Sequence, residues 1–565
     1  VSIPDEQQET AAFLRGLAGQ DPAETHISAV FIGSDTVWKL KKAVRLSFLD
    51  FTAVEARHRY LLRELEVNRE AAPGLYHDVV PVVRRPDGAL TLGDARAFGD
   101  ARALADARQP GGDAREAEPE APEAEAAEAQ APESAPVDWV LRMAPVPAAD
   151  FLDAIAARQE LTPVLLDALA DTVAGYHRGL PPVAGTDAVA AMRHVARGNA
   201  SAARDAGLPA ARIEAWLHGE LAAIEQIAPW LAARAAGGFV RRAHGDLHLG
   251  NLCLWQGTPV PFDAIEFDEA MATIDLGYDL AFLLMDLDHR VAPGAANRVL
   301  NRYVARTGDA ALTGGLPVFL SMRAMIRAQV ESSRGNRDAG VAYLDRAFAY
   351  LAPAAAVVVA IGGLPGTGKS TLARALSPSL GAAPGALVLR SDEIRKRQHG
   401  VAPEQRLPES AYGPAASDAV FAELAASVAV VAGGGHAVIA DAMFLRPAQR
   451  AAVEQAAAGA GVPFLGLWLT APRDRLEARL ASRTGDASDA TVAVLDAMAR
   501  HDRGGGDWVT IETGDDGAGD GATGDGDGGD GATGDDGAGV GMKALSQTRQ
   551  AMQTRFGSHI QQEAC

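Results

Sequence analysis

The sequence predicts an α+β domain followed by an α/β domain with a parallel sheet. Three observations predict this. Short strands and long helical stretches mix irregularly up to Leu351, and Pro353 then breaks the chain. From Ala356-Val-Val-Val-Ala-Ile361 onward, apolar runs alternate regularly with helical patterns, as in a parallel sheet. At 565 residues the chain also exceeds what one hydrophobic core usually organises.

The elements follow in order. Ala29–Ile32 and Thr36–Leu40 flank the turn Gly33-Ser34-Asp35 and read as two short strands. Phe51–Ala71 has helical periodicity, and Val79–Val83 reads as a strand. A stretch from about Gly111 to Pro136, rich in Glu, Ala and Pro, carries too much like charge to bury a core and reads as a disordered insertion. Asp138–Met143 returns as a strand and leads into a mainly helical region, Ala149 to about Arg234, resumed after Asp275. This organisation sets the first domain at 1–351 and the second at 355–511. A Gly/Asp-rich linker follows at 512–541, then a C-terminal helix and tail at 542–565. The linker repeats itself, Gly519–Asp525 recurring as Gly529–Asp535. It lacks the large apolar residue that a calcium-binding roll needs in each repeat.

Bulk composition narrows the function classes. Acidic residues number 73 against 52 basic, a net charge of −21, the wrong sign for a general nucleic-acid binder. Cys253 and Cys565 suggest neither a disulfide framework nor a metal site. With a polar, acidic start and no apolar run of about 18 residues or more, no membrane span and a cytoplasmic location are expected.

Gly363 to Ser370 reads Gly-Leu-Pro-Gly-Thr-Gly-Lys-Ser, a complete P-loop between an apolar strand and a helical pattern. Glycines let backbone N–H groups turn inward around phosphate oxygens, and the following helix N-terminus adds its dipole. Gly363, Gly366, Thr367, Gly368, Lys369, Ser370 and Thr371 form the candidate nucleotide set, with Lys369 on the β and γ phosphates and Ser370 on Mg2+. Two strands downstream end in carboxylates. Asp392 is the candidate base for an acceptor hydroxyl, and Asp441 the candidate metal carboxylate. Arg473 and Arg475 read as a solvated helix face. Arg479 and Arg483, one turn apart, read either as a lid over the phosphates or as more of that face.

These residues, with Ser391–Lys396 and Ser488-Asp489-Ala490, resemble the small P-loop kinases over about 355–511. That group includes gluconate kinase, chloramphenicol phosphotransferase, the zeta toxins and polynucleotide kinase. The resemblance implies phosphoryl transfer from ATP to a hydroxyl.

In the first domain, His244 to Asn251 reads His-Gly-Asp-Leu-His-Leu-Gly-Asn. An Asp and an Asn five apart is the spacing of a kinase catalytic loop. Asp246 is the candidate base and Asn251 a candidate metal ligand. Asp263, after the strand-like Val260-Pro-Phe, is the second metal carboxylate, with Glu266 and Asp268 nearby. Lys39 is the candidate phosphate lysine. Strand alternation gives it the same face as Lys41 and the opposite face to Lys42. Its helix partner is Glu64 or Glu66, with Glu64 slightly preferred, and His248 reads as a loop stabiliser.

This constellation resembles the aminoglycoside phosphotransferase family, a branch of the protein-kinase-like fold, over about 21–351. The resemblance implies ATP, Mg2+ and a hydroxyl-bearing small molecule, often a sugar or aminocyclitol. It also makes Asp279 a brace for the catalytic loop. No Gly-rich loop precedes Lys39, which departs from the kinase pattern. The domain order resembles bacterial fusions of an aminoglycoside phosphotransferase-like domain with a small P-loop kinase or AAA-type ATP-binding domain. Two tandem kinases are the expectation. The alternatives are one catalytic and one regulatory module, or a polynucleotide-kinase-like or zeta-toxin-like P-loop enzyme.

Overall fold

The computed structural model describes residues 2–46, 49–94, 135–482, 486–500, 504–514 and 541–557. The acidic insertion up to 134 and the Gly/Asp repeats at 515–540 lie outside them. The chain packs as two compact units.

The first unit comprises Val1–Phe151, His244–Asp246 and Asn251–Ala272. Its strands are β1 (Ala23–Glu24), β2 (Ser28–Ile32), β3 (Val37–Lys41), β4 (Arg45–Leu46), β5 (Leu49–Asp50), β6 (Tyr76–Arg84), β7 (Leu90–Leu92) and β8 (Asp138–Met143). A six-stranded antiparallel sheet has the order β1-β2-β3-β8-β6-β7, and β4 pairs with β5. Alternation along the strands builds two apolar faces. Ala29, Phe31, Leu40, Val80, Val82 and Val140 face the helix Gln8–Ala18 through Ala11 and Leu14. Val79, Trp139 and Leu141 face the helix Val54–Arg69 through Leu61 and Leu65.

The second unit comprises Leu152–Ala243, Leu247–Gly250 and Thr273–Cys565. Its helical part holds the pair β9 (Val240–Arg242), and the first unit holds β10 (Leu252–Trp255) and β11 (Thr258–Pro261). β9 pairs antiparallel with β12 (Thr273–Asp275), while β10 and β11 form a hairpin through Gln256 and Gly257, both at positive φ (52° and 81°). Asp275 caps the helix Leu276–Arg290 through the Gly277 N–H at 2.7 Å.

The α/β part contains β13 (Val358–Gly363), β14 (Leu387–Arg390), β15 (Val438–Asp441), β16 (Phe464–Thr470) and β17 (Val509–Glu512). These form one parallel sheet in the order β14-β15-β13-β16-β17, the architecture expected from the sequence. Packing crosses Pro353, because the edge strand β14 takes its missing partners from the helix Pro293–Thr307. Asn297 Nδ2 donates to the Ala386 carbonyl at 3.1 Å, and the Val388 N–H donates to Asn301 Oδ1 at 2.6 Å. The C-terminal helix Met542–Phe556 is part of the α/β core, where Ala544, Met552 and Phe556 pack with Val359, Ile361 and Leu467. The helix Pro414–Gly433 is long and apolar enough to cross a membrane by length and composition. Here its Val420, Leu424, Val428 and Val431 are buried within the domain.

Candidate active sites

In the first unit, Lys39 and Lys41 project from the β3 face that meets the helix Val54–Arg69. Lys39 Nζ lies 2.6 Å from Glu64 Oε1 and 2.5 Å from Asp263 Oδ1. Glu64 shares the buried helix stripe with Leu61, Leu65 and Asn68, whereas Glu66 lies about 200° further round and pairs with Arg63 on the surface at 2.7 Å. Burial works to lower the Lys39 ammonium, but Asp263 and Glu64 outweigh it and hold it well above its ordinary range. Burial likewise disfavours ionised Glu64, yet Lys39 and Lys41 hold its carboxyl down at about 2.

Asp263 takes the left-handed conformation, φ 61°, a costly choice for a non-glycine residue. Its neighbours fix it there: the Asp263 N–H donates to Tyr76 Oη, and the Ala264 N–H to Asn68 Oδ1, both at 2.9 Å. Asn251 Nδ2 donates to Asp246 Oδ2 at 2.9 Å and to the Asp246 carbonyl at 3.0 Å, leaving Oδ1 as a donor atom for a metal. His244 Nε2 donates to the Phe262 carbonyl at 2.9 Å, so its Nδ1 is the acceptor for the Asp246 N–H at 3.3 Å. Gly245 is required, since its φ is 85° and a Cβ would sit 2.8 Å from Ile265 Cδ1.

In the second unit, His248 Nδ1 accepts from the Gly250 N–H at 3.0 Å, consistent with loop stabilisation. Asp279 is fully buried and accepts from His177 Nε2 at 3.0 Å. A brace that sequence reasoning missed is Asp286, whose Oδ2 accepts from the Leu249 N–H at 3.1 Å. Its one signal was a carboxylate inside the apolar run Phe282–Leu287.

The P-loop joins β13 to the helix Lys369–Leu376. Gly363 (φ 136°) and Gly366 (φ 84°) leave no room for a side chain, their Cβ positions being 2.5 Å from the Leu469 carbonyl oxygen and 2.9 Å from that of Leu476. Gly368, at φ 86°, is the N-cap residue, and Thr371 stands in the first helical turn. Lys369 Nζ and Thr367 Oγ1 donate to the Leu364 carbonyl at 2.9 and 2.8 Å. Ser370 Oγ donates to Asp441 Oδ2 at 2.6 Å. Arg479 reaches the loop, donating to the Gly366 carbonyl at 3.3 Å and the Thr513 carbonyl at 2.7 Å. Arg483 lies outside the described residues, and Arg473 pairs with Glu477 and Asp496 on the exposed helix face.

β14 ends at Arg390, so Asp392 stands in the first turn of the helix Ser391–Gln398 rather than at the strand end. Burial raises its carboxyl, Arg390 opposes that, Asp441 adds to it, and Ser488 and Lys369 oppose it again. Arg390 was not anticipated. It lies 3.1 Å from Glu393, 2.8 Å from Asp486 and 3.3 Å from Asp441. Asp489 takes Lys396 at 2.7 Å and the Leu407 N–H at 3.0 Å.

The donor chemistry fits Mg2+ with nucleotide. Among the described residues no three His, Cys, Asp or Glu side chains form a metal cage. The oxygen sets Asn251 with Asp263 and Ser370 with Asp441 suit an ion that keeps water and phosphate oxygens in its shell. The glycine cradle of the P-loop suits a phosphate chain.

Residues 358–503 match the AAA domain family model. The matched stretch spans β13, the P-loop, Asp392, Asp441 and Arg479. An uncharacterized protein of Mycobacterium tuberculosis (strain ATCC 25618 / H37Rv) is 28% identical over 509 residues, 87% of this chain and 91% of that one. A choline/ethanolamine kinase family protein from Mesorhizobium loti matches with a TM-score of 0.35 at 12% identity, over 61% of this chain and 95% of that one. A thermostable mutant of aminoglycoside phosphotransferase APH(4)-Ia matches with a TM-score of 0.34 at 12% identity, over 60% of this chain and 98% of that one.

Proposed function

We propose that the chain is an ATP- and Mg2+-dependent phosphotransferase with two catalytic centres. Each transfers the γ-phosphoryl group of ATP to a hydroxyl of a small molecule of the sugar or aminocyclitol kind. The observation that carries the reading is a carboxylate beside a group suited to hold metal in each centre: Asp246 is hydrogen-bonded to Asn251, and Asp392 feels the charge of Asp441, which itself accepts from Ser370. In each centre the candidate base and the candidate metal donors are different side chains, so base and phosphate charge are handled by different groups.

In the reaction the acceptor oxygen forms a bond to the γ-phosphorus, the bond to the β–γ bridging oxygen breaks, and ADP leaves with that electron pair. The acceptor's proton passes to Asp246 or Asp392. Lys39 and Lys369 neutralise phosphate charge, and the Asn251–Asp263 and Ser370–Asp441 pairs would hold the metal. Bound Mg2+ supplies charge neutralisation at the phosphate oxygens.

The test is ATP consumption with a panel of sugars, aminocyclitols and nucleosides, for wild type, Asp246→Ala and Lys369→Ala. Each substitution is expected to remove a different acceptor-stimulated activity. A second reading, in which the first centre binds nucleotide without turnover, is favoured by the missing Gly-rich loop before Lys39. It predicts that Asp246→Ala leaves every activity intact.

A further inference from the structure

A single lysine and a single glutamate would suffice to hold a phosphate lysine in place, yet the first unit buries a longer series. Asp263 Oδ1 is 2.5 Å from Lys39 Nζ, which is 2.6 Å from Glu64 Oε1. The other oxygen of the same carboxylate, Glu64 Oε2, is 2.8 Å from Lys41 Nζ, which is 2.5 Å from Glu266 Oε1. Five charges alternate in sign, three carboxylates against two ammoniums.

Exposure drops to 5% or less beyond Lys39. The Asp263 side chain is 42% exposed and Lys39 12%, whereas Glu64, Lys41 and Glu266 are at 0%, 1% and 5%. The Phe51 ring covers Lys41, its centroid 5.3 Å from Nζ. Lys41 and Glu266 therefore cannot touch a substrate, and the outer end, Asp263, is where solvent and ligands arrive.

Lys39 is shared between Glu64 and Asp263, and Asp263 is the metal carboxylate of the proposed reaction. When Asp263 turns to a cation, Lys39 loses one of its two carboxylate partners. A lone flexible glutamate then has to keep the ammonium in place in a site without a Gly-rich loop. We infer that Lys41 and Glu266 are positioning residues of the first centre: they clamp the second oxygen of Glu64, so that Lys39 keeps its phosphate-binding position after Asp263 engages a divalent cation.

This inference rests on the nucleotide-binding reading of the first centre, and the experiment separates the two. The full-length chain carrying Lys369→Ala, which silences the P-loop, is titrated with a fluorescent non-hydrolysable ATP analogue, with and without Mg2+. Saturable binding is expected. Adding Lys41→Met is expected to weaken binding of the Mg2+ complex about 10-fold or more, with a smaller effect on the metal-free analogue, and Lys41→Arg is expected to restore it. Since Lys41→Met leaves Glu266 as a buried unpaired charge, the double variant Lys41→Met/Glu266→Met removes the inner pair without that cost. It is expected to show the same loss with an unchanged circular dichroism spectrum. Unchanged binding in the double variant overturns the inference alone. Absence of binding in the Lys369→Ala parent overturns the underlying reading, and the inference with it.

Discussion

Ser370 Oγ donates to Asp441 Oδ2 across 2.6 Å, joining the first turn after the P-loop to the end of β15. The pair brings a hydroxyl and a carboxylate from positions 71 apart in sequence onto one point beside the phosphate cradle. Asp441→Asn is expected to lower second-centre turnover by roughly 10²-fold or more and to raise the Mg2+ concentration for half-maximal rate. Acceptor-stimulated ATP consumption in the Asp246→Ala background, titrated with Mg2+, measures both.

Glu64 and Glu66 are two residues apart with opposite surroundings, 0% against 68% side-chain exposure. Glu64→Gln is expected to reduce first-centre activity about 10-fold or more, while Glu66→Gln changes it little. Equal effects would mean that Lys39 is not oriented by the buried carboxylate. Assays in the Lys369→Ala background report this centre alone.

Gly363→Ala places a methyl 2.5 Å from a backbone carbonyl oxygen, that of Leu469, at φ 136°. Neither backbone can yield cheaply, and strain of about 1–3 kcal/mol or more is expected. Nucleotide binding at the second centre should disappear while the first keeps its activity. Equilibrium binding to the full-length variant decides it.

Glu220 is fully buried in the helical part, and burial pushes its carboxyl up to about 8 from an ordinary 4.5. The folded state thus holds the proton more tightly than the unfolded chain. Stability is full below about pH 4.5, falls as pH rises toward 8, and stays reduced above that. At pH 7 the cost is about 3 kcal/mol. Glu220→Gln should raise the melting temperature at pH 7 and flatten its fall between about pH 5 and 8. An unaltered slope in thermal unfolding would place the titration elsewhere.

Legibility from sequence followed the range of the interactions. The P-loop was readable because strand, glycine turn, lysine and helix are contiguous, and the parallel sheet because its apolar runs recur in order. Lys39 was distinguishable from Lys42 by strand alternation, and helix phase accounts for Glu64 over Glu66. Arg390 and the Lys41–Glu266 pair carry no local pattern, and Asp286 carries only its place inside an apolar run. Their partners lie across the fold, as with the 225 residues between Lys41 and Glu266. The same reason hid the docking of the C-terminal helix, whose buried residues Ala544, Thr548, Met552 and Phe556 recur every four positions without naming the surface they cover.

The amides of Asn297 and Asn301 stand in for the neighbouring strand that β14 lacks. A protein cut at Pro353 would accordingly yield no finished C-terminal domain, only a fragment with a raw strand edge, prone to pair with itself. Whatever history joined the two regions, the helical and α/β parts of the second unit now have to be made, folded and degraded together. A cell therefore cannot tune the amount of one part without the other.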